Sequence, residues 1–353
     1  MSGWEQNVRQ VTPYTPGEQP RVLGRIIKLN TNENPYPPAP GVTRVLESFQ
    51  TDALRLYPDP QATELVQALS EVYAVPQDQI FVGVGSDDVL AMAFLTFFSA
   101  GKEIWFPDIS YSFYDVWAAL YRIPYRQIPV SEDLSVHAED YYGAPGGVVI
   151  ANPNAPTGLL FSLSAEEIEE IIRHNQDCVV IIDEAYIDFG GVSVLPLIQK
   201  YDNLLVVQTF SKSRSLAGLR IGYAFGSKKL IDYLQAAKFA FNSYTMNRLT
   251  VALGAAALAD DVYFRQTCDR IITTRERMKK EMSSLGFVFP DSKTNFLFVK
   301  HPDRSGKEIF EALRERNIYV RHWDRPRISE YNRITVGTEE EVDLLLQALR
   351  EIL

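Results

Sequence analysis

Cysteine is nearly absent: two thiols, Cys178 and Cys268, among 353 residues cannot form a disulfide framework, so a reducing compartment is expected. Cys178 opens the apolar run CVVII and reads as a buried thiol. Long apolar runs are missing as well. The longest, VLAMAFLTFF (89–98), is about half of what a bilayer-spanning helix requires, and it directly follows Asp87 and Asp88. It reads as a buried helix with an acidic first turn. No block of like charge occurs, and 35 basic against 45 acidic side chains leave a net charge of -10, which disfavours nucleic acid and anionic membranes as partners. The opening MSGWEQNVRQ has no apolar segment of the secretory kind, so a cytoplasmic location is expected. His137, His174, His301 and His322 are scattered without ligand spacing, and no metal site is expected. GVGSDD (83–88) keeps only the first two glycines of a dinucleotide fingerprint, and no G-x-x-x-x-G-K-[ST] phosphate loop occurs.

What the chain does contain is an ordinary globular composition, 46% hydrophobic and 23% charged, with short β-rich runs alternating with helical segments. The expected strands are QIFVGVG, EIWFP, YRQIPV, GVVIAN, CVVIID, NLLVVQTF and IGYAFG, several apolar without alternation, as strands covered on both faces would be. Between them lie helices such as AEEIEEIIR, with Ser164 and Glu167 in the spacing of a capping box. This pattern predicts an α/β fold, a mainly parallel sheet wrapped by helices, with ligands at the carboxyl ends of the strands. The expected organisation is an N-terminal arm over 1–40 partly joined to the small domain, a large domain over 41–250, a bridging helix over 251–285 and a small α+β domain over 286–353.

Polar residues gather at the ends of three of the apolar runs. CVVIIDEAYIDF places Asp183 at the end of a strand that reads as fully buried, where a carboxylate needs a cationic or protonated partner. The neighbouring Glu184 cannot act with it on one bond, because adjacent strand residues point to opposite faces. NLLVVQTFSK ends in Lys212 beside Thr209 and Ser211, with Arg220 eight positions on between Gly218 and Gly222. GSDD follows a strand and opens a helix, whose free N-H groups can bind a phosphate. An amine, a buried acid and an anion cradle are what pyridoxal phosphate requires for its aldehyde, ring nitrogen and phosphate. Lys212 would bond the aldehyde carbon and serve as proton-transfer base, Asp183 would keep the ring nitrogen protonated, and Arg220, Ser211 and Thr209 would meet the phosphate.

The set NENPY (32–36), RLYPDP (55–60), GVGSDD, PNAPTG (153–158), DEAYIDF (183–189), TFSKSRSLAGLRIG (209–222) and NRITVG (332–337) resembles the fold-type I pyridoxal-phosphate aminotransferases, most closely the histidinol-phosphate aminotransferases, over nearly the whole chain. The resemblance implies a fold-type I large domain with a small α+β domain and an arm. It makes Lys212 the cofactor-bearing lysine and Asp183 the partner of the ring nitrogen. It further assigns Tyr186 to the ring's O3' oxygen, Tyr111 to the ring face, and Ser86 and Asp87, mainly through backbone N-H groups, to the phosphate. Tyr57 would reach the phosphate of a neighbouring subunit, which makes a homodimer the expected catalytic unit. The family usually has asparagine immediately before PTG; here that position is Ala155, and Asn154 is expected to take over the contact to O3'. Arg321 and Arg333 would hold the substrate phosphate, and in the other half-reaction a carboxylate of glutamate or 2-oxoglutarate, with Tyr14 and Asn34 nearby. Arg325 and Arg327 leave the choice of second arginine open. An aromatic aminotransferase, a threonine-phosphate decarboxylase and a cofactor-bearing regulator remain as other readings of the same scaffold.

Overall fold

The computed structural model describes residues 3–20, 24–160 and 165–353. Ser164, and with it the expected capping box, lies outside the described residues. In chain order the strands are β1 (Ile27–Lys28), β2 (Ile80–Gly83), β3 (Ile104–Pro107), β4 (Tyr125–Ile128), β5 (Gly147–Ala151), β6 (Val179–Asp183), β7 (Leu204–Thr209), β8 (Gly222–Gly226), β9 (Phe296–Val299), β10 (Ile318–Tyr319), β11 (Arg321–His322) and β12 (Asn332–Thr335). Each of the seven apolar runs forms one strand, β2 to β8, and together they make one seven-stranded sheet in the order β2-β8-β7-β6-β5-β3-β4.

Side-chain parity explains why these runs lack a polar face. Val148, Ile150, Val180, Ile182, Leu204 and Val206 enter one core, shared with the helices Thr63–Tyr73, Ala165–Arg173 and Arg248–Leu258. The alternate residues Val149, Ile181, Leu205 and Val207 enter a second core on the other face, against Ser86–Phe97, Tyr114–Tyr121 and Lys228–Phe241. Both faces are dry, so alternation has nothing to report. The run 89–98 lies largely in the buried helix Ser86–Phe97, with Asp87 and Asp88 in its first turn, as the sequence predicts.

The sheet is parallel except for β8, which runs antiparallel to both β7 and β2. This reversal positions the site. β7 leaves the sheet at its carboxyl edge, and residues 210–221 return the chain to the same edge to start β8, where Thr209 and Gly222 are register partners. Lys212 and Arg220 are therefore both held at the edge where β5 and β6 also end.

Beyond residue 243 the helical stretch is two helices, Arg248–Leu258 and Asp261–Ser284, because Asp260 accepts from the Tyr263 N-H and starts a new helix. A third core contains Phe296, Ile309, Ile318, Ile334, Val342 and Leu345 around the antiparallel sheet β11-β12-β9. The N-terminal segment joins it: β1 pairs with β10, and Ile27 and Leu29 are buried there. Ala155, Tyr186 and Phe189 also belong to this core, which brings it against the carboxyl edge of the large sheet. Cys178 proves half-buried and Cys268 buried, and both are free thiols. Among the described residues, no helix is long and apolar enough to cross a membrane and no three His, Cys, Asp or Glu side chains cluster as metal ligands.

Candidate active site

A cleft opens at the carboxyl edge of the sheet. The end of β5 contributes Ala151, Pro153 and Ala155 to its wall, and the end of β6 contributes Asp183, Ala185 and Tyr186. Thr209, Ser211, Lys212 and Arg220 come from the β7-β8 return, with Ser86, Asp87 and Tyr111 opposite.

Lys212 projects its amine towards the Thr31 carbonyl at 3.2 Å and over the Tyr186 ring at 5.6 Å. Among the described residues no carboxylate lies within ion-pair distance of it, so its nitrogen has no strong local partner to surrender. Its backbone is fixed from below. Asn34 donates from its side-chain amide to the carbonyls of Lys212 at 3.2 Å and Ser213 at 3.1 Å, and its own oxygen accepts from the Tyr36 N-H. Asn34, expected near the substrate, thus uses its amide to hold the lysine turn.

Asp183 is 4% exposed and follows the parity of β6, so it emerges on the face of Ser86–Phe97 and Tyr114. One carboxylate oxygen accepts from the Tyr114 hydroxyl at 2.9 Å and the other from the Ala185 N-H at 3.2 Å. Burial pushes its carboxyl up to about 6, against the bonds from Tyr114 and Ala185. An acid so placed is short of a cation. Glu184 points through the other face, where Ser193, the Val194 N-H and Gln208 hold it. Tyr114 was not singled out in the sequence; it follows Tyr111 by three positions at a helix start, and that spacing is the one available signal.

The anion end is built from close backbone approach. The first intrahelical bonds run from the Asp88 and Val89 N-H groups to the Gly85 carbonyl, which leaves the N-H groups of the first turn facing the cleft. Thr209 donates to the Ser211 hydroxyl at 3.0 Å, and Arg220 donates to the same hydroxyl at 3.2 Å. Arg220 also pairs with Asp87 at 2.8 Å, while Tyr111 donates to the other Asp87 oxygen at 2.7 Å. Asp87 therefore contributes its side chain as well as its backbone, and Tyr111 is clamped beside the cradle. Gly85, at φ +88°, leaves space that a Cβ would take from the Arg220 guanidinium, and a Cβ on Gly222 would overlap the backbone of Gly85 and Ser86. Gly218, in contrast, has nothing near it. Gly222→Ala is expected to cost on the order of 3 kcal/mol in chemical denaturation and to abolish anion binding at the cleft, because backbone rather than a movable side chain must yield.

Tyr186 receives a hydrogen bond to its hydroxyl from the Asn32 amide at 2.8 Å. Asn32, at φ +56°, is anchored by Thr335 and Asn295. Its place inside NENPY was its only sequence signal. Asn154, the residue expected at O3', is fully buried; its amide donates to the Ile109 carbonyl and Thr157 hydroxyl, both at 2.9 Å, and its oxygen accepts from Ser110. Both donors pin the loop, and Asn154 does not line the cleft.

A second opening adjoins the first through Tyr111 and Ala155 and is lined by Tyr14, Trp323, Arg325, Arg327 and Arg333. Arg333 donates to the Asn30 carbonyl at 3.0 Å, stacks over Phe296 and Trp323, and keeps its Nε without an acceptor. Burial works against its charge and lowers the guanidinium from its ordinary value. Arg321 is its cross-strand partner, yet it donates to the Thr15 and Pro16 carbonyls and fixes the arm that carries Tyr14. It is absent from the wall that Arg333 lines. Arg327 is paired with Asp108 at 2.8 Å. Tyr14 stacks on Phe113 at 4.3 Å over the mouth. Tyr57 is 78% exposed and outside the cleft of its own chain.

One end of the cleft thus offers phosphate donors, the middle an amine, and the far wall a carboxylate lacking a cation, which fits pyridoxal phosphate. The model of the class I and II aminotransferases matches residues 24–349. A histidinol-phosphate aminotransferase of Lactococcus lactis subsp. cremoris is 53% identical over 99% of this chain and 98% of its own, and one of Chromohalobacter salexigens is 52% identical over 99% and 98%. The solved histidinol-phosphate aminotransferase of Sinorhizobium meliloti in complex with pyridoxal-5'-phosphate superposes with a TM-score of 0.84 at 26% identity, covering 93% of this chain and 91% of that one. A carboxyl-edge cleft of this chemistry, in a chain matched end to end at half identity, has one reading: the protein belongs to the fold-type I, pyridoxal-phosphate-dependent aminotransferases of class I and II, in the histidinol-phosphate aminotransferase family.

Proposed function

We propose that the enzyme moves an amino group between L-histidinol phosphate and 2-oxoglutarate, giving imidazole acetol phosphate and L-glutamate in histidine biosynthesis, as a cytoplasmic homodimer. The observation that carries the substrate reading is Arg333. A half-buried guanidinium with an acceptor-free Nε, in an opening continuous with the Lys212 cleft, suits a substrate that carries its own anion at a distance from the reacting amine. Relatives of the same length and about half identity bear that activity in their names.

When bound, pyridoxal phosphate supplies an aldehyde that takes up the amino group and a protonated ring that accepts the electron pair left when the substrate's α-proton departs. The residues then divide the work. Ser86, Asp87, Thr209, Ser211 and Arg220 hold the phosphate through backbone N-H groups, hydroxyls and one guanidinium. Asp183 keeps the ring nitrogen protonated, and Tyr114 and Ala185 keep Asp183 aimed. Tyr186 donates to the ring oxygen with its own hydroxyl oriented by Asn32. Tyr111 covers the ring face. Lys212 Nζ removes the α-proton and returns it, its turn kept in place by Asn34. Arg333 binds the substrate anion, Arg325 supplies the second cation at the same opening, and Arg321 holds Tyr14 and the arm across the mouth. Tyr57 reaches the phosphate in the partner's cleft. Exposed Leu54, Leu56 and Phe241 suit a surface covered by a second copy.

The deciding experiment adds L-histidinol phosphate, phenylalanine or threonine phosphate singly to the holoenzyme without a keto acid. Only histidinol phosphate is expected to bleach the visible absorbance of the cofactor rapidly at low concentration; carbon dioxide release from threonine phosphate, or bleaching by phenylalanine alone, overturns the reading. Arg333→Gln is expected to raise the KM for histidinol phosphate about 100-fold, and Arg321→Gln only about tenfold, in steady-state assays.

A further inference from the structure

Lys238 is an unusual residue in this molecule. It sits in the helix Lys228–Phe241 and is 2% exposed, yet among the described residues no carboxylate lies within ion-pair distance. Its ammonium lies over the Phe81 ring at 5.7 Å and donates to the Pro60 carbonyl at 3.1 Å. Burying an ammonium against a neutral acceptor is costly, and a methionine would fill the space without that cost. Arg248, on the following helix, donates to the Tyr57 carbonyl at 3.0 Å. The two cations grip both ends of the turn Tyr57–Pro60, and the Tyr57 ring rests against Tyr244 at 4.7 Å. The Gln235 oxygen in the first helix, the Thr245 hydroxyl in the connection and the Arg248 Nε at the start of the second are buried, among the described residues, without a partner. The Tyr57 side chain itself is 78% exposed, so the two cations hold a turn whose aromatic ring is presented outward.

We propose that Lys238 and Arg248 are positioning residues that hold the Tyr57 turn at the height and direction needed to enter the cleft of a second copy of this chain. The inference rests on the reading of Tyr57 given above and adds what aims it. Neither cation lines the cleft of its own chain. Each acts by fixing a backbone carbonyl that flanks the tyrosine, so the effect of removing one is felt across the interface, in the partner's cleft.

The test is the affinity of the cofactor-free protein for pyridoxal 5'-phosphate, measured by absorbance titration in Lys238→Met, Arg248→Gln and Tyr57→Phe. Each variant is expected to weaken binding about tenfold, the effect of losing one charge-assisted hydrogen bond, while the thermal midpoint of cofactor-free Lys238→Met stays level or rises. Mixed dimers supply a readout that a folding defect would not move. A dimer of one Lys212→Ala and one Lys238→Met protomer contains one cleft with an intact lysine and an intact incoming Tyr57. That cleft should recover wild-type affinity and turnover. Wild-type affinity in both Lys238→Met and Arg248→Gln, or no recovery in the mixed dimer when the matching Lys212→Ala/Tyr57→Phe dimer recovers, overturns the positioning role. Unchanged affinity in Tyr57→Phe defeats the underlying reading of Tyr57 instead. If Lys238→Met does not fold, Arg248→Gln and its mixed dimer decide the question alone.

Discussion

Lys212→Ala is expected to lower turnover by more than about 10⁴-fold while leaving the fold intact. Among the described residues the amine has no carboxylate partner within ion-pair distance, and it stands over Tyr186 with the Thr31 carbonyl as its acceptor. Nothing else lining the cleft can move the α-proton. Asp183 is engaged by Tyr114 and Ala185, and Arg220 is engaged by Asp87 and the Ser211 hydroxyl. The truncated side chain removes no core contact, so the thermal midpoint of the cofactor-free protein should change by no more than a few degrees. Borohydride reduction followed by peptide mass spectrometry should add one phosphopyridoxyl group, the cofactor less one oxygen, to the peptide bearing Lys212 in the parent enzyme and none in the variant. Turnover within tenfold of the parent would remove Lys212 from the reaction.

Asp183→Asn should lower turnover about 10³-fold, and the stability that Asp183 contributes to the parent protein should respond to pH in the opposite sense to that of a surface carboxylate. Burial raises the Asp183 carboxyl to about 6 from an ordinary 3.8, and the Glu184 carboxyl to about 7 from 4.5. The folded protein therefore binds these protons more tightly than the unfolded chain does. The stability they contribute is fully present below about pH 4 and is lost as pH rises through 6 and 7. Above pH 7 the ionised Asp183 costs the cofactor-free protein on the order of 3 kcal/mol. A protonated ring nitrogen beside the carboxylate offsets that cost, so the cofactor should raise the thermal midpoint more at pH 8 than at pH 5. In Asp183→Asn the difference between the two pH values should shrink, because an amide does not titrate. Calorimetric scans of both proteins, with and without cofactor, check this; an equal cofactor effect at both pH values in the parent would mean the ring nitrogen is not the partner of Asp183.

The large sheet was legible because its strands are dry on both faces: a continuous apolar run has few other uses at that length, and all seven runs became neighbours. The direction of β8 was not legible. IGYAFG is uncharged throughout and carries no signal of direction, and the tertiary course of residues 210–221 fixes its sense. Site residues at strand ends were recoverable, since a polar side chain directly after a buried strand must emerge at an edge; Asp183, Thr209 and Lys212 follow that rule. Residues that depend on who donates to whom were not. Asn154 and Asn34 have the right chemistry and the right neighbourhood, but Asn154 donates to the Ile109 carbonyl and Thr157 hydroxyl, and Asn34 to the Lys212 and Ser213 carbonyls. Tyr114 and Asn32 were missed because their roles are to aim other side chains, and no local pattern announces that. Arg321 and Arg333 face each other across β11 and β12, so their sequence spacing could not reveal that one had been captured by the arm.

The reversed strand has a wider consequence. Amine and guanidinium belong to one return of the chain whose two ends are zipped together, so the span between them is set within a dozen residues and is deaf to the posture of the C-terminal unit. The arginines proposed to meet the substrate belong to that other unit. Selectivity can therefore drift over generations, through the arm and the strands beneath it, while the grip on the vitamin stays the same.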